Sequence, residues 1–201
     1  MSKRQWITVF APIAVIFSMY FVYRQLAQPY GNQFAWYAGF WVYWIGWGAI
    51  FSFTIVGKKK IFRLIRPRKP DRSTLLFVAF PLIMTVIFRF LTGTQYAKPT
   101  TLWTVLLVST AFGNGFFEEI LWRGVYLNFF PKNIFYRMVW PTFWFTLWHY
   151  IPGSLSPNSR VIGLMIGSGL FGFYLAFLAK KTETIWWCIV CHTLGGILMV
   201  V

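Results

Sequence analysis

An all-α fold, a polytopic membrane bundle of about seven transmembrane helices with a cytoplasmic N-terminus, is what three observations on this 201-residue chain predict. First, the residues are 58% hydrophobic and 22% aromatic, and only 11% are charged. Soluble domains carry about a quarter charged residues, and one of this size cannot hide so much apolar surface from water. Second, the apolar residues fall into runs of about 20, the length that crosses a bilayer. Third, 19 Lys and Arg stand against 4 acids, and they cluster between the runs, as in proteins that follow the positive-inside rule. Residues 1–201 read as a single membrane domain.

The first run, Trp6–Tyr23, follows Lys3-Arg4 as a signal peptide would. It is longer than the usual h-region of about 7–15 residues and no small-residue cleavage site follows, so a retained helix is expected. Phe34–Val56 and Thr74–Leu91 come next, separated by a loop with eight basic residues between Lys58 and Arg72. Leu102–Leu127 is too long for one straight crossing and holds Gly113-Asn114-Gly115, where a break is expected. Ile134–Ile151, Val161–Ala179 and Glu183–Val201 complete the seven.

With the N-terminus inside, the inner side holds Lys3, Arg4, the eight of 58–72, Lys132, Arg137, Lys180 and Lys181. The outer side holds Arg24, Lys98 and Arg160, and Arg89 and Arg123 fall within runs. Fourteen inner charges against three fix the orientation and put the C-terminus outside. The +15 balance is thus accounted for by topology and by anionic lipid at 58–72, and no nucleic-acid partner is expected. Arg89, near the end of its run, is expected to snorkel to the interface.

Small residues at Gly163 and Gly167, then Ser168 and Gly172, are four apart on the sixth run and permit close helix packing. Trp140, Trp144 and Trp148 recur likewise and read as a stripe facing lipid or core. Cys188-Ile189-Val190-Cys191-His192 spells the c-type haem attachment pattern, but in mid-run, where packing or redox thiols are the simpler expectation. A zinc site built from those cysteines and a histidine is the lesser alternative.

The four acids are Asp71, Glu118, Glu119 and Glu183. Asp71 needs only a solvated or helix-capping role, and Glu183 after Thr182 suits the first turn of the last helix. Glu118 and Glu119 differ, because a charge inside a membrane span costs about 3 kcal/mol or more and needs a reason. Glu119 and Arg123, four apart, meet on one helix face, where they can form a pair that merely fixes packing. Glu118 sits about 100° round the helix with no opposite charge at that spacing. A carboxylate so placed is a suitable general base for water. The two histidines of the chain, His149 and His192, also lie in apolar runs. Phe145 and His149 share a face, as do Cys188, His192 and Gly196.

The string Glu118-Glu119-Ile120-Leu121-Trp122-Arg123-Gly124, then Phe145-x-x-x-His149, then His192 in a late run, resembles the CAAX protease and bacteriocin-processing superfamily, also called CPBP or Abi. Its members are polytopic intramembrane endopeptidases, and the resemblance covers about 102–200. It implies that Glu118 activates the attacking water with help from His149, that Glu119 and Arg123 hold the site in shape, and that His192 stabilises the oxyanion. The superfamily often places an Asn three or four residues after that histidine. This chain has Gly195 and Gly196 there, so a water, Asn114 or another donor has to substitute. An older reading of such enzymes as zinc proteases makes Glu118, His149 and His192 a candidate metal set, with zinc as the cofactor.

The implied partner is a membrane-associated peptide or protein: prenylated C-termini in eukaryotes, or bacteriocin and signalling-peptide precursors in bacteria. A small seven-span chain looks more like the bacterial branch, in the cytoplasmic membrane. Two other functions stand beside the peptidase: a catalytically weak immunity or resistance protein, favoured by the missing Asn, and a proton-coupled transporter, since buried Glu and His also build proton relays. Straight helices leave Glu118 and His149 roughly 10–15 Å apart in depth. A break at Gly113–Gly115, or a late helix start near Pro141, is therefore expected to bring them level.

Overall fold

Residues 1–92, 101–155 and 161–200 are described by a computed structural model of the chain. Lys98 and Arg160, assigned above to the outer side, and Val201 lie outside the described residues. Eight helices are found among the described residues, and their boundaries follow from local chemistry.

Ser2 opens the first helix with a capping box, its Oγ accepting from the Gln5 amide at 3.3 Å while Gln5 Oε1 accepts from the Ser2 amide at 2.7 Å. The helical stretch Lys3–Val56 is not one rod. Gly31 has φ 81° and ψ 162°, a conformation that only glycine adopts without strain, and there the chain doubles back. It divides α1 (3–30) from α2 (32–56). Trp47 Nε1 donates to Ser18 Oγ at 3.1 Å across the hairpin, and Tyr23 meets Phe40 edge-on at 6.2 Å. Gly57, at φ 94°, ends α2 and starts the short basic helix α3 (Lys58–Leu64).

Asp71 caps α4 (Arg72–Thr92), as its sequence position suggests: its Oδ1 accepts from the Thr74 amide at 2.7 Å and from Ser73 Oγ at 3.0 Å. Hydrogen bonds from Thr74 and then Ser73, with Lys181 at 3.7 Å, hold its carboxyl at about 2, below the ordinary 3.8. At the other end of α4, Arg89 does more than reach the interface. Its Nη1 donates to the Leu198 carbonyl at 2.9 Å and satisfies the last turn of the C-terminal helix.

The long helix α5 (101–129) is unbroken, contrary to the expected interruption at Gly113-Asn114-Gly115. Gly113, Glu119 and Gly124 keep right-handed helical angles. The helix loosens instead into π turns over Asn114–Glu118 and Ile120–Gly124, which re-aim the following side chains and are frequent at functional sites. Helix α6 (135–154) also opens on a π turn, Phe135–Val139, so it starts well before Pro141.

After α7 (Val161–Thr182), Glu183 takes φ 50° in a turn. It is not in the first turn of the last helix, α8 (Trp186–Val200), whose cap is Thr184 rather than Thr182: Thr184 Oγ1 accepts from the Trp186 amide at 3.2 Å. The turn is pinned elsewhere, because the Leu64 carbonyl accepts from both Thr184 Oγ1 and the Ile185 amide. Glu183 reaches Arg137 at 3.9 Å instead.

Three of these helical stretches are long and apolar enough to cross a membrane, Lys3–Val56, Arg72–Leu91 and Val161–Thr182, and Trp186–Met199 is a shorter apolar helix. Their outward faces expose large apolar side chains such as Phe90, Leu91, Ile162 and Leu170, which only a lipid surround leaves favourable. The fold is that of a helical membrane protein. Helix contact is made at fewer small residues than the spacing suggests. A Cβ on Gly172 would lie 2.8 Å from the Phe145 ring and one on Gly169 2.6 Å from Thr146, whereas Gly167 has open space around it.

Candidate active site

The middle of α5 carries three charged side chains into the bundle, and each is almost fully buried: Glu118 is 1% exposed, Glu119 0% and Arg123 2%. Charges cannot sit there unpaired. Glu119 Oε1 accepts from Arg123 Nη1 at 3.0 Å, the expected i,i+4 pair, and also from His192 Nδ1 at 2.7 Å. Arg123 spreads its guanidinium over the Phe145 ring, 4.3 Å from the centroid, a cation–π contact. Glycines make this possible. A Cβ on Gly172 would lie 2.9 Å from Arg123 Nη2, and one on Gly115 would lie 2.8 Å from the Thr193 amide nitrogen. The second close approach, of α5 to α8, is what sets His192 beside Glu119.

Glu118 points to the other side of the same imidazole. Its Oε1 accepts the indole N–H of Trp148 at 3.0 Å, while its Oε2 has no protein partner and lies 3.9 Å from His192 Nε2. Since Nδ1 of His192 is taken by Glu119, Nε2 is the nitrogen left facing Glu118. The arrangement is a buried carboxylate with one free oxygen, opposed to an imidazole whose Nδ1–H and orientation are fixed by a second carboxylate.

His149 stands one residue beyond Trp148. Its Nδ1 donates to the Phe145 carbonyl at 2.8 Å, and its ring meets Phe145 edge-on at 4.5 Å, as the shared face implied. Among the described residues it makes no hydrogen bond or ion pair with Glu118. The two imidazoles flank the Phe145 ring, with His192 at 6.5 Å. The contact between Trp148 and Glu118 shows that the end of α6 is level with the middle of α5. Neither the expected break nor the late helix start produces this; the π turns stand in their place.

Trp148 is the residue that sequence reasoning missed. Read as one of three stripe tryptophans, it is fully buried and bound to Glu118, and adjacency to His149 was its one available signal. It is held from the N-terminal half of the chain. Tyr43 of α2 stacks on it at 4.1 Å, and Tyr23 of α1 lies 6.1 Å away. Tyr43 also accepts the indole N–H of Trp122 at 2.6 Å. Asn114 accepts from Trp44 Nε1 at 3.0 Å, so its carbonyl oxygen is already engaged in packing α2 against α5.

Gly196 explains the departure from the Asn-bearing pattern: its Cβ would meet Ala111 Cβ at 2.9 Å, and only glycine fits there. Gly195 is roomier, with Leu82 at 4.0 Å. The cysteines are packing groups. Cys188 Sγ donates to the Leu175 carbonyl at 3.2 Å and Cys191 Sγ points toward the Val78 carbonyl at 3.9 Å, both buried. Neither fits haem attachment. Nδ1 of each imidazole is engaged, by Glu119 and by the Phe145 carbonyl, which leaves both Nε2 atoms open; what Glu118, His149 and His192 lack as the expected zinc set is convergence. Among the described residues no three His, Cys, Asp or Glu side chains converge as metal ligands.

Residues 100–198 match the family model described as type II CAAX prenyl endopeptidase Rce1-like. No curated protein and no solved structure matches the chain. The matched stretch contains Glu118, Glu119, Arg123, Phe145, Trp148, His149 and His192, so the whole charged cluster lies inside it. Over residues 100–198, just under half of its length, this membrane protein is similar to the Rce1-like family of type II CAAX prenyl endopeptidases.

Proposed function

We propose that the protein is an intramembrane endopeptidase in which Glu118 activates the water that cleaves the peptide bond. One observation carries this reading: the free, buried Oε2 of Glu118 faces Nε2 of an imidazole held by Glu119 and Arg123. Glu118 takes a proton from water, and the hydroxide adds to the carbonyl carbon. The oxyanion so formed is met by the Nε2–H of protonated His192, whose positive charge Glu119 supports. The tetrahedral intermediate then collapses, the C–N bond breaks, and Glu118 returns its proton to the leaving amine. His149, with Nδ1–H on the Phe145 carbonyl, presents Nε2 as an acceptor that helps orient the water. Positioned acid–base catalysis of this kind is worth about 10²–10⁴-fold, and an oxyanion donor about 10²–10³-fold.

The substrate is a membrane-associated peptide or protein, met in a cytoplasmic membrane of bacterial type. The chain crosses seven times, α1, α2 and α4 to α8, with its basic loops inside and 58–72 against anionic lipid. Contacts that join the proposed inner ends support this topology: Gln5 to the Phe129 carbonyl, Arg68 to the Thr182 carbonyl, and Lys181 to Asp71. The test is a purified protein in liposomes given candidate membrane peptides. Glu118→Gln is expected to lower cleavage at least about a hundredfold while the protein stays folded; cleavage at the wild-type rate overturns the assignment.

A weakly catalytic peptide-binding or immunity protein is the second reading, favoured by Gly196, where the Asn donor has no room. Protection of cells that survives Glu118→Ala and His192→Ala selects it.

A further inference from the structure

A cleft of about 340 Å³ opens between residues 20–32 of the first hairpin and residues 151–155 at the end of α6, at the small end of the about 300–1,000 Å³ typical of ligand sites. Six of its nine lining residues, Tyr20 to Asn32, lie outside the family match, and no step above uses the cleft. Tyr23 lines it. The Tyr23 hydroxyl is buried and without a protein partner, and its ring is built into place: a Cβ on Gly39 would lie 2.5 Å from Cζ, and Phe40 and Trp148 close on it at 6.2 and 6.1 Å. A buried hydroxyl left unpaired is costly, so a ligand group that reaches in and pairs it has a ready gain.

Among the described residues the one charged group in the lining is Arg24, aimed by the hydrogen bond its Nη1 donates to the Tyr20 hydroxyl at 3.2 Å. Gln28, Asn32 and Ser154 add neutral polar groups. All four acids of the chain lie elsewhere. A cation with neighbouring hydroxyls and amides suits an anionic acceptor, and the guanidinium fork matches a carboxylate bidentately. From the cleft, contact runs inward through Tyr23 and Trp148 to Glu118, not along the lipid-facing surface. That direction favours a peptide over a lipid headgroup.

We infer that this cleft binds the carboxylate-bearing part of a peptide substrate, with Arg24 as the anion contact and Tyr23 as the polar contact at its inner end. The inference rests on the peptidase reading. Binding is measured on the full chain in neutral-lipid nanodiscs with three fluorescent peptides of equal length: one with a free C-terminal carboxylate, one amidated, and one amidated with an internal Asp. The first, the third, or both are expected to bind more tightly than the neutral peptide, and which of them does so identifies the source of the carboxylate. Arg24→Gln is expected to weaken that binding about tenfold, to leave the neutral peptide unchanged, and in turnover to raise KM without changing kcat. Tyr23→Phe is expected to weaken it less. Equal binding of all three peptides, or variants that bind like wild type, overturns the inference, as does binding of phosphatidylglycerol with neither carboxylate peptide retained. Binding needs no turnover, so a protein that discriminates the peptides but cleaves none keeps the cleft and loses the peptidase.

Discussion

The two halves of the chain bring different things to the bundle interior. From 101 to 200 come the buried charges Glu118, Glu119 and Arg123 together with His149 and His192. From 1 to 92 come aromatic side chains: Tyr23 and Tyr43 against Trp148, and Trp44 against Asn114. The family match covers only the first set. The proposed reacting groups therefore sit on one half, while their aim depends on rings supplied by the other. In low dielectric an unsupported charge moves or neutralises, so the aromatic half is part of the site even though it holds no acid or base there.

The largest effect expected from breaking this division is on the charged side. Arg123→Ala leaves the buried Glu119 with His192 alone and is expected to cost about 3–5 kcal/mol, read as a large fall in the thermal unfolding midpoint in detergent; an unchanged midpoint contradicts a buried pair. On the aromatic side, Tyr43→Phe strips the acceptor from the buried Trp122 indole and is expected to cost about 1–3 kcal/mol. Its kcat should stay near wild type, which separates support from chemistry. Gly196→Asn is expected to cost a similar about 1–3 kcal/mol by overpacking against Ala111, whereas Gly195→Asn should be close to neutral. Paired melts of the two variants check this.

The smallest effect is outside the membrane. Asp71 titrates at about 2 in the folded chain against an ordinary 3.8. A depressed carboxyl stabilises the fold fully above about pH 4 and loses that contribution as pH falls toward 2. Asp71→Asn is expected to flatten the acid side of the stability profile and leave neutral pH little changed.

Much of this was legible in the sequence. The apolar runs locate α2 and α4 to α8 to within about three residues, because hydrophobic length and flanking charge are local properties, but they stop seven residues short of the end of α1 and leave α3 as loop. The pairing of Glu119 with Arg123 is legible for the same reason, being fixed by helical spacing alone. What joins separate helices was not. That Trp148 rather than Trp144 turns to a carboxylate depends on how α6 is rotated against α5, and the π turns that set rotation leave no mark in composition. The expected break at Gly113–Gly115 failed there too, since those glycines serve close packing of α5 on α2 and α8: a Cβ on Gly113 would lie 2.5 Å from the Trp44 ring. Gly31, by contrast, does turn the chain, and it lies in the gap between the first two apolar runs, whereas Gly113 and Gly115 lie inside one.

The account stands on Glu118 and His192 serving a single reacting water and carbonyl. A double-mutant cycle on peptide cleavage tests that most directly, with Glu118→Gln, His192→Gln and the pair compared by kcat/KM. Groups that act as a unit are strongly non-additive, so the double variant is expected to be about as slow as Glu118→Gln alone. Losses that multiply would mean the two residues act independently, and the shared site would be contradicted.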